Sequence, residues 1–229
     1  SLLDHEYKYL TVQYPVTPTI YFLPKIHKDL LKPKGRQIVS TKASLLEPTS
    51  NYIDHFLAPL VKDLSSYLRD TTELLKHLQD LPWQEGYQMI TMDAVSLYTS
   101  IKHEIGSAAC EYFLGRRPLE LKEHNDMLME MIWICLTNNY FLFDKQIFKQ
   151  VKGAAMGFSA SPSYANLTMG WWEQMYAWKL EPHVNHIVMW LRFIDDMRPY
   201  RRRHLPFQGL VSPNSSFRGS TAAAKLSVV

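Results

Sequence analysis

The chain has 229 residues, enough for one sizeable core or for part of a larger architecture, and its 46% hydrophobic and 13% aromatic content fits a packed protein rather than a disordered one. Its formal charge is +3, yet six of its 25 basic residues and none of its 22 acidic ones lie beyond residue 196, which leaves the first 196 residues with 19 against 22 and a net charge of −3. That body is not a general polyanion binder, and any nucleic-acid contact in it must come from local patches.

The uncharged stretch Met131 to Phe143 is too short to span a membrane and is broken by Asn138 and Asn139. Cys110 and Cys135 match no metal spacing and suggest a reducing compartment. With no signal peptide ahead of Ser1, the reading is an intracellular protein, nuclear or cytoplasmic, and a fragment of a longer one.

In chain order, Ile20 to Leu23 and Gln37 to Ser40 read as the strands of a hairpin with a long basic tip carrying Lys25, His27, Lys28, Lys32, Lys34 and Arg36. A solvated turn would look the same. Between Thr49 and Leu64 apolar residues recur at three- and four-residue steps, which predicts a helix kinked at Pro59. Asp70 followed by Glu73 forms a capping-box pattern that opens a second helix.

"YQMITMDAVSLYTSI" then changes to a period of two, predicting a strand that ends near Asp93. Helices are expected over His103 to Leu114 and Asn125 to Leu136, and "NYFLFDKQIFKQ" reads as a hairpin turning at Asp144 to Gln146. In "KGAAMGFSASPSYANLTMGWWEQMYAWKL", Ser161 is a natural N-cap, Pro162 a natural first-turn residue, and Ala165, Thr168, Met169, Trp172 and Tyr176 an inward stripe. "HIVMWLRFIDD" is the last strand candidate, so the whole is an α+β layout without internal repeats.

Asp93 and Asp195 each end a predicted strand, and a sheet pairing those strands would bring the two carboxylates together. Two unit charges about 4 Å apart repel by roughly 4 kcal/mol at an effective dielectric near 20, so such a pair calls for a cation. Magnesium suits it, because that hard ion is usually held by one or two carboxylates plus substrate phosphates. Neighbouring strand residues face opposite ways, which gives direct ligation to Asp93 and Asp195 and a supporting role to Asp196. Taken singly, the Asp-Asp pair reads first as a surface turn, Gly157 as a simple turn and Tyr98 as a core aromatic.

Taken together, the strings "FLPKIHK", "GRQIVS", "TMDAVSLYTSI", "NNYF", "GAAMGFSASPSYANLTM" and "WLRFIDD" resemble the reverse transcriptase of Penelope-like retroelements, relatives of telomerase, over about Tyr14 to Asp196. The resemblance implies right-hand polymerase fingers and a partial palm, an antiparallel palm sheet packed on helices, within residues 1–196. It implies an RNA-directed DNA polymerase of a retrotransposon that adds dNTPs to a DNA primer 3′ end on an RNA template, with two magnesium ions or manganese in their place and no membrane partner.

Residue by residue, the resemblance makes Asp93, Asp195 and Asp196 the catalytic acids and lends the Ala94 carbonyl to the metal. Tyr98 becomes the gate under the incoming sugar, Lys25 and Arg36 the triphosphate contacts, and Gly157 the close backbone approach to the nucleotide. Lys28, Ser161 and Pro162 fall to template and primer. Gln37 stands where the family usually has proline, Ala94 where it has valine, and Phe193 where tyrosine is common.

A catalytic hairpin needs a second apolar strand after the aspartates, but Met197 is followed by Arg198 and Pro199. Residues 197–229, rich in Ser, Arg and Pro and without acidic residues, read as a disordered basic tail, from a frameshift or splice or as an authentic nucleic-acid-binding extension. On that reading the fragment is inactive or impaired. The rival is a non-catalytic nucleic-acid-binding remnant; a metal-dependent nuclease would leave Tyr98 and the Gly157 to Pro162 run unexplained.

Overall fold

The computed structural model describes residues 3–26, 29–179, 183–202 and 224–228. After the short helix α1 (Asp4–Leu10), β1 (Thr19–Pro24) and β2 (Gly35–Ser40) form the expected hairpin, antiparallel from Thr19↔Ser40 to Pro24↔Gly35. The Lys25 N–H extends this ladder to the Lys34 carbonyl at 2.9 Å. His27 and Lys28 lie outside the described residues.

Helix α2 (Glu47–Lys62) buries Ser50, Ile53, Leu57 and Val61, the face set by their three- and four-residue spacing, and runs through Pro59 on its exposed side. Asp70 caps α3 (Thr71–Asp80) by accepting the Glu73 N–H at 2.9 Å. The Glu73 carboxylate reaches back one residue beyond the cap, to the Arg69 N–H at 2.6 Å. Strand β3 (Tyr87–Ala94) buries Ile90, Met92 and Ala94 in strict alternation.

A single turn, α4 (Leu97–Ser100), leads into α5 (His103–Leu114) and α6 (Lys122–Thr137), the latter three residues longer at its start than its apolar periodicity predicts. Strands β4 (Tyr140–Phe143) and β5 (Gln146–Lys149) pair across a two-residue turn in which Asp144 and Lys145 both take positive φ, a geometry that usually recruits glycine. Helix α7 (Ser161–Met175) follows, then β6 (Ile187–Phe193), β7 (Asp196–Arg202) and β8 (Ala224–Val228).

The strands make two sheets, one ordered β2-β1-β4-β5 and the other β6-β7-β3-β8. In the first, β4 meets β1 in parallel at Thr19↔Leu142, and the Leu142 N–H bonds the Pro18 carbonyl at 2.7 Å. The second is antiparallel throughout and packs on the helices through one core that joins Ile53 and Leu57 of α2, Leu128 of α6, Leu167 of α7, Ile90 of β3 and Trp190 of β6. Among the described residues no helix is long and apolar enough to cross a membrane.

Three expectations are corrected. Ser161 does not cap α7: Ala160 holds that position, and Ser161 is the first helical residue. Nor is α7 striped, since Ser161, Ser163 through Gly170 and Glu173 are all buried, while Tyr176 lies beyond its end and exposed.

The third concerns the tail. The strand does resume after the aspartates, as β7, and β8 adds to the far edge of β3. Met197 and Pro199 alternate inward on β7, so the apolar period is present but counts a proline as one of its members. The β3–β7 register runs to Met89↔Tyr200 and resumes at Met92↔Met197, skipping Pro199 and Arg198 where the missing N–H would interrupt it.

Candidate functional site

Asp93 is the penultimate residue of β3, and Asp196 is the first of β7 and its register partner. Asp195 precedes it in the two-residue turn Ile194-Asp195, and its carbonyl accepts the Ala94 N–H at 3.0 Å. Acids about a hundred positions apart in sequence therefore share one end of the second sheet. Burial pushes the Asp195 carboxyl above the usual aspartate range, and the charges of Asp93 and Asp196 push it further, while Arg36 pulls it back. The Tyr98 phenol on α4 is raised by burial and then by Asp195, again with Arg36 opposing. Arg36 sits on β2 of the other sheet, and its charge reaches both Asp195 and Tyr98.

Asp196 is already paired: Arg198 Nη2 lies 2.7 Å from its Oδ2, and Nη1 donates to Thr91 Oγ1 at 3.3 Å. Both partners are about one-third exposed, so the pair is worth little to stability. It does offset one of the three negative charges, which leaves Asp93 and Asp195 as the groups best placed for a cation. Among the described residues no three His, Cys, Asp or Glu side chains are arranged as a metal cluster. The donor set is thus two carboxylates beside the Ala94 backbone, which suits magnesium, an ion that keeps water and substrate oxygens as its other ligands. The raised Asp195 carboxyl fits the same reading, since a divalent cation would relieve what raises it.

A raised value means that folded Asp195 binds its proton more tightly than the unfolded chain does. The stability it contributes is full below the ordinary aspartate range and is lost as pH rises through the raised value. In chelator, Asp195→Asn should therefore raise the Tm at pH 7 by on the order of a few degrees, with the gap closing below about pH 4. Thermal scans at the two pH values check it; equal Tm at pH 7 would count against it.

The segment 153–157 ties these parts together. The Ala154 N–H donates to the Tyr98 carbonyl at 2.7 Å and the Gly153 N–H to that of Ile101 at 3.1 Å, while the Val39 N–H of β2 donates to Met156 at 2.9 Å. Thr41 Oγ1 donates to the Gly157 carbonyl at 2.8 Å. Gly157 has φ 147°, and a Cβ there would overlap the Val39 carbonyl oxygen. The close approach it permits in the structure is to the protein's own β2.

Gly157→Ala should cost about 1–3 kcal/mol from strain and overpacking. Gly86→Ala, with φ 89° but open space around it, isolates the backbone part. Urea unfolding of both variants checks the difference; equal losses would show that the overlap is relieved.

The other expected contacts are scattered. Lys25 lies just past β1 and is half-buried. The Ser161 hydroxyl is buried and donates to the Ala155 carbonyl at 2.6 Å. Pro162 is exposed and lines a cleft of about 180 Å³ with Lys62, Tyr67, Phe193 and Ile194, which sets the start of α7 beside the acid turn. Lys28 lies outside the described residues.

Sequence reasoning missed the polar cluster beneath that turn. Arg192 of β6 is fully buried, and its Nε donates to Glu173 Oε1 of α7 at 2.7 Å. Glu173 also accepts Trp190 Nε1 at 2.9 Å and Ser66 Oγ at 2.5 Å. The signal was available: Arg192 is the one charged residue of β6 and Glu173 the one charged residue of α7, with opposite signs.

No protein-family model and no curated protein sequence matches the chain. Solved structures do. Apo telomerase from Candida tropicalis, truncated from its C-terminal domain, superposes with a TM-score of 0.67 at 13% identity, over 95% of this chain and 51% of that one. Telomerase from Candida albicans, in complex with a TWJ fragment of telomeric RNA, gives 0.67 at 12% identity over 97% and 42%. The Sicinivirus 3Dpol RNA-dependent RNA polymerase gives 0.60 at 8% identity over 98% and 49%. The chain spans about half the length of these proteins or less, and it has the reverse-transcriptase-like α+β polymerase fold, an antiparallel sheet packed on helices, that they share.

Proposed function

We propose that the protein is an RNA-directed DNA polymerase, adding dNTPs to a DNA primer on an RNA template. The observation that carries this reading is the register that sets Asp93 against Asp196 and beside Asp195, on a polymerase fold, with Tyr98 and Arg36 near enough to feel the Asp195 charge. Asp93 and Asp195 would hold magnesium, which when bound aligns the attacking hydroxyl with the leaving group and takes up developing charge. The Arg36 guanidinium presents a planar fork that matches a triphosphate better than a lysine does, and Lys25 flanks it. The Tyr98 ring excludes a 2′-hydroxyl. The strings "FLPKIHK", "GRQIVS" and "WLRFIDD" support the finer assignment to a retrotransposon of the Penelope-like kind.

The expectation of impaired activity rested partly on a missing second hairpin strand, and β7 removes that ground. Primer extension by the full chain on an RNA template with magnesium tests the proposal. Extension with dNTPs and not with rNTPs is expected. Salt-sensitive RNA binding without extension would instead favour a non-catalytic binding remnant.

A further inference from the structure

We infer that Arg192, locked by Glu173 and Asn166, is the positioning residue of the carboxylate turn: it fixes where Asp195 points and so sets affinity for the divalent cation. This rests on the reading above only in taking Asp195 as a metal ligand. The guanidinium is fully buried and its donors are all engaged. Besides Glu173, Nη1 donates to Asn166 Oδ1 at 2.8 Å and to the Ile194 carbonyl at 3.1 Å, while Nη2 donates to the Asn166 carbonyl at 3.2 Å and approaches Ser66 Oγ at 3.5 Å. Its backbone is pinned as well, the N–H to Ser66 at 2.7 Å and the carbonyl from the Leu68 N–H at 3.0 Å.

Ile194 is what needs holding. It is β-branched yet sits at φ 55°, a conformation that such residues adopt only when their surroundings impose it. The Arg192 bond to its carbonyl is one such constraint, and the next residue is Asp195. Stability alone does not account for the cluster, because well-packed apolar residues usually replace a buried ion pair at no loss. Lysine cannot substitute: a point donor does not serve Glu173, Asn166 and Ile194 at once as a rigid fork does.

The test compares the wild-type chain with Arg192→Lys, Glu173→Gln and the milder Asn166→Ala. Mn2+ affinity is read by electron paramagnetic resonance, folding by circular dichroism, and primer extension as separate kcat and KM for dNTP. Expected are folded variants whose Mn2+ affinity and kcat each fall by about 10–100-fold, as for other residues that orient metal ligands, with KM for dNTP unchanged. If Arg192→Lys fails to fold, Asn166→Ala decides. Folded variants that bind Mn2+ as the wild type does overturn the inference, and so does a wild type that binds none. A wild type that binds Mn2+ but extends no primer sinks the polymerase reading alone, and the affinity comparison still decides the role of Arg192.

Discussion

Asp93→Asn should lower primer extension by about 1,000-fold or more, because a metal's several kcal/mol of transition-state charge stabilisation convert at about 1.4 kcal/mol per tenfold. The amide keeps the size and shape of the carboxylate, so sheet pairing with β7 and burial around Met92 and Ala94 are undisturbed. Only the charge goes, and with it one of the two proposed metal ligands. Stability should hold or rise, since Asp93 contributes to lifting the Asp195 carboxyl. Asp196→Asn is the informative companion. Asp196 is held by Arg198, so its loss should weaken extension far less. Single-turnover extension beside a thermal scan checks both. Wild-type rates from a folded Asp93→Asn chain would reduce the acid register to an ordinary sheet end.

Local physics was legible wherever one residue decides the outcome with its near neighbours. The alternation of Ile90 and Met92 with their neighbours named the strand, and Asp70 with Glu73 named a helix start. Pro199 misled because a lone proline argues against a strand, whereas here Met197, Pro199 and Tyr200 are all buried. Burial of those side chains compensates for one interrupted ladder position, and that balance depends on β3 and β6 lying on either side. Ser161 misled for a similar reason. Its hydroxyl found the Ala155 carbonyl, in a loop whose path follows from two glycines meeting α4 and β2, and local capping preference lost to that packing. For the site, the identities of the acids were readable, but their register was not: it follows from how β7 pairs with β3 about a hundred residues away.

Glu173→Ala should destabilise the fold by about 3–5 kcal/mol, the range for removing one partner of a buried ion pair. The mutation strands the Arg192 guanidinium in the core and leaves Trp190 Nε1 and Ser66 Oγ without their acceptor. For a chain of this size that corresponds to a Tm lower by roughly 2–4 °C for each kcal/mol. The double variant Arg192→Met with Glu173→Leu should behave differently. With both charges gone no ion is left unpaired, so the double variant should be more stable than Glu173→Ala, falling short of the wild type chiefly by the about 1–3 kcal/mol that a buried donor without its acceptor costs at Trp190 Nε1 or Ser66 Oγ. Yet Ile194 would lose the donor to its carbonyl, so the double variant should fold well and still hold Asp195 loosely. Calorimetry on the single and double variants separates the two roles. A Glu173→Ala loss below about 1 kcal/mol would mean that water reaches Arg192, and the cluster would then be neither dry nor decisive.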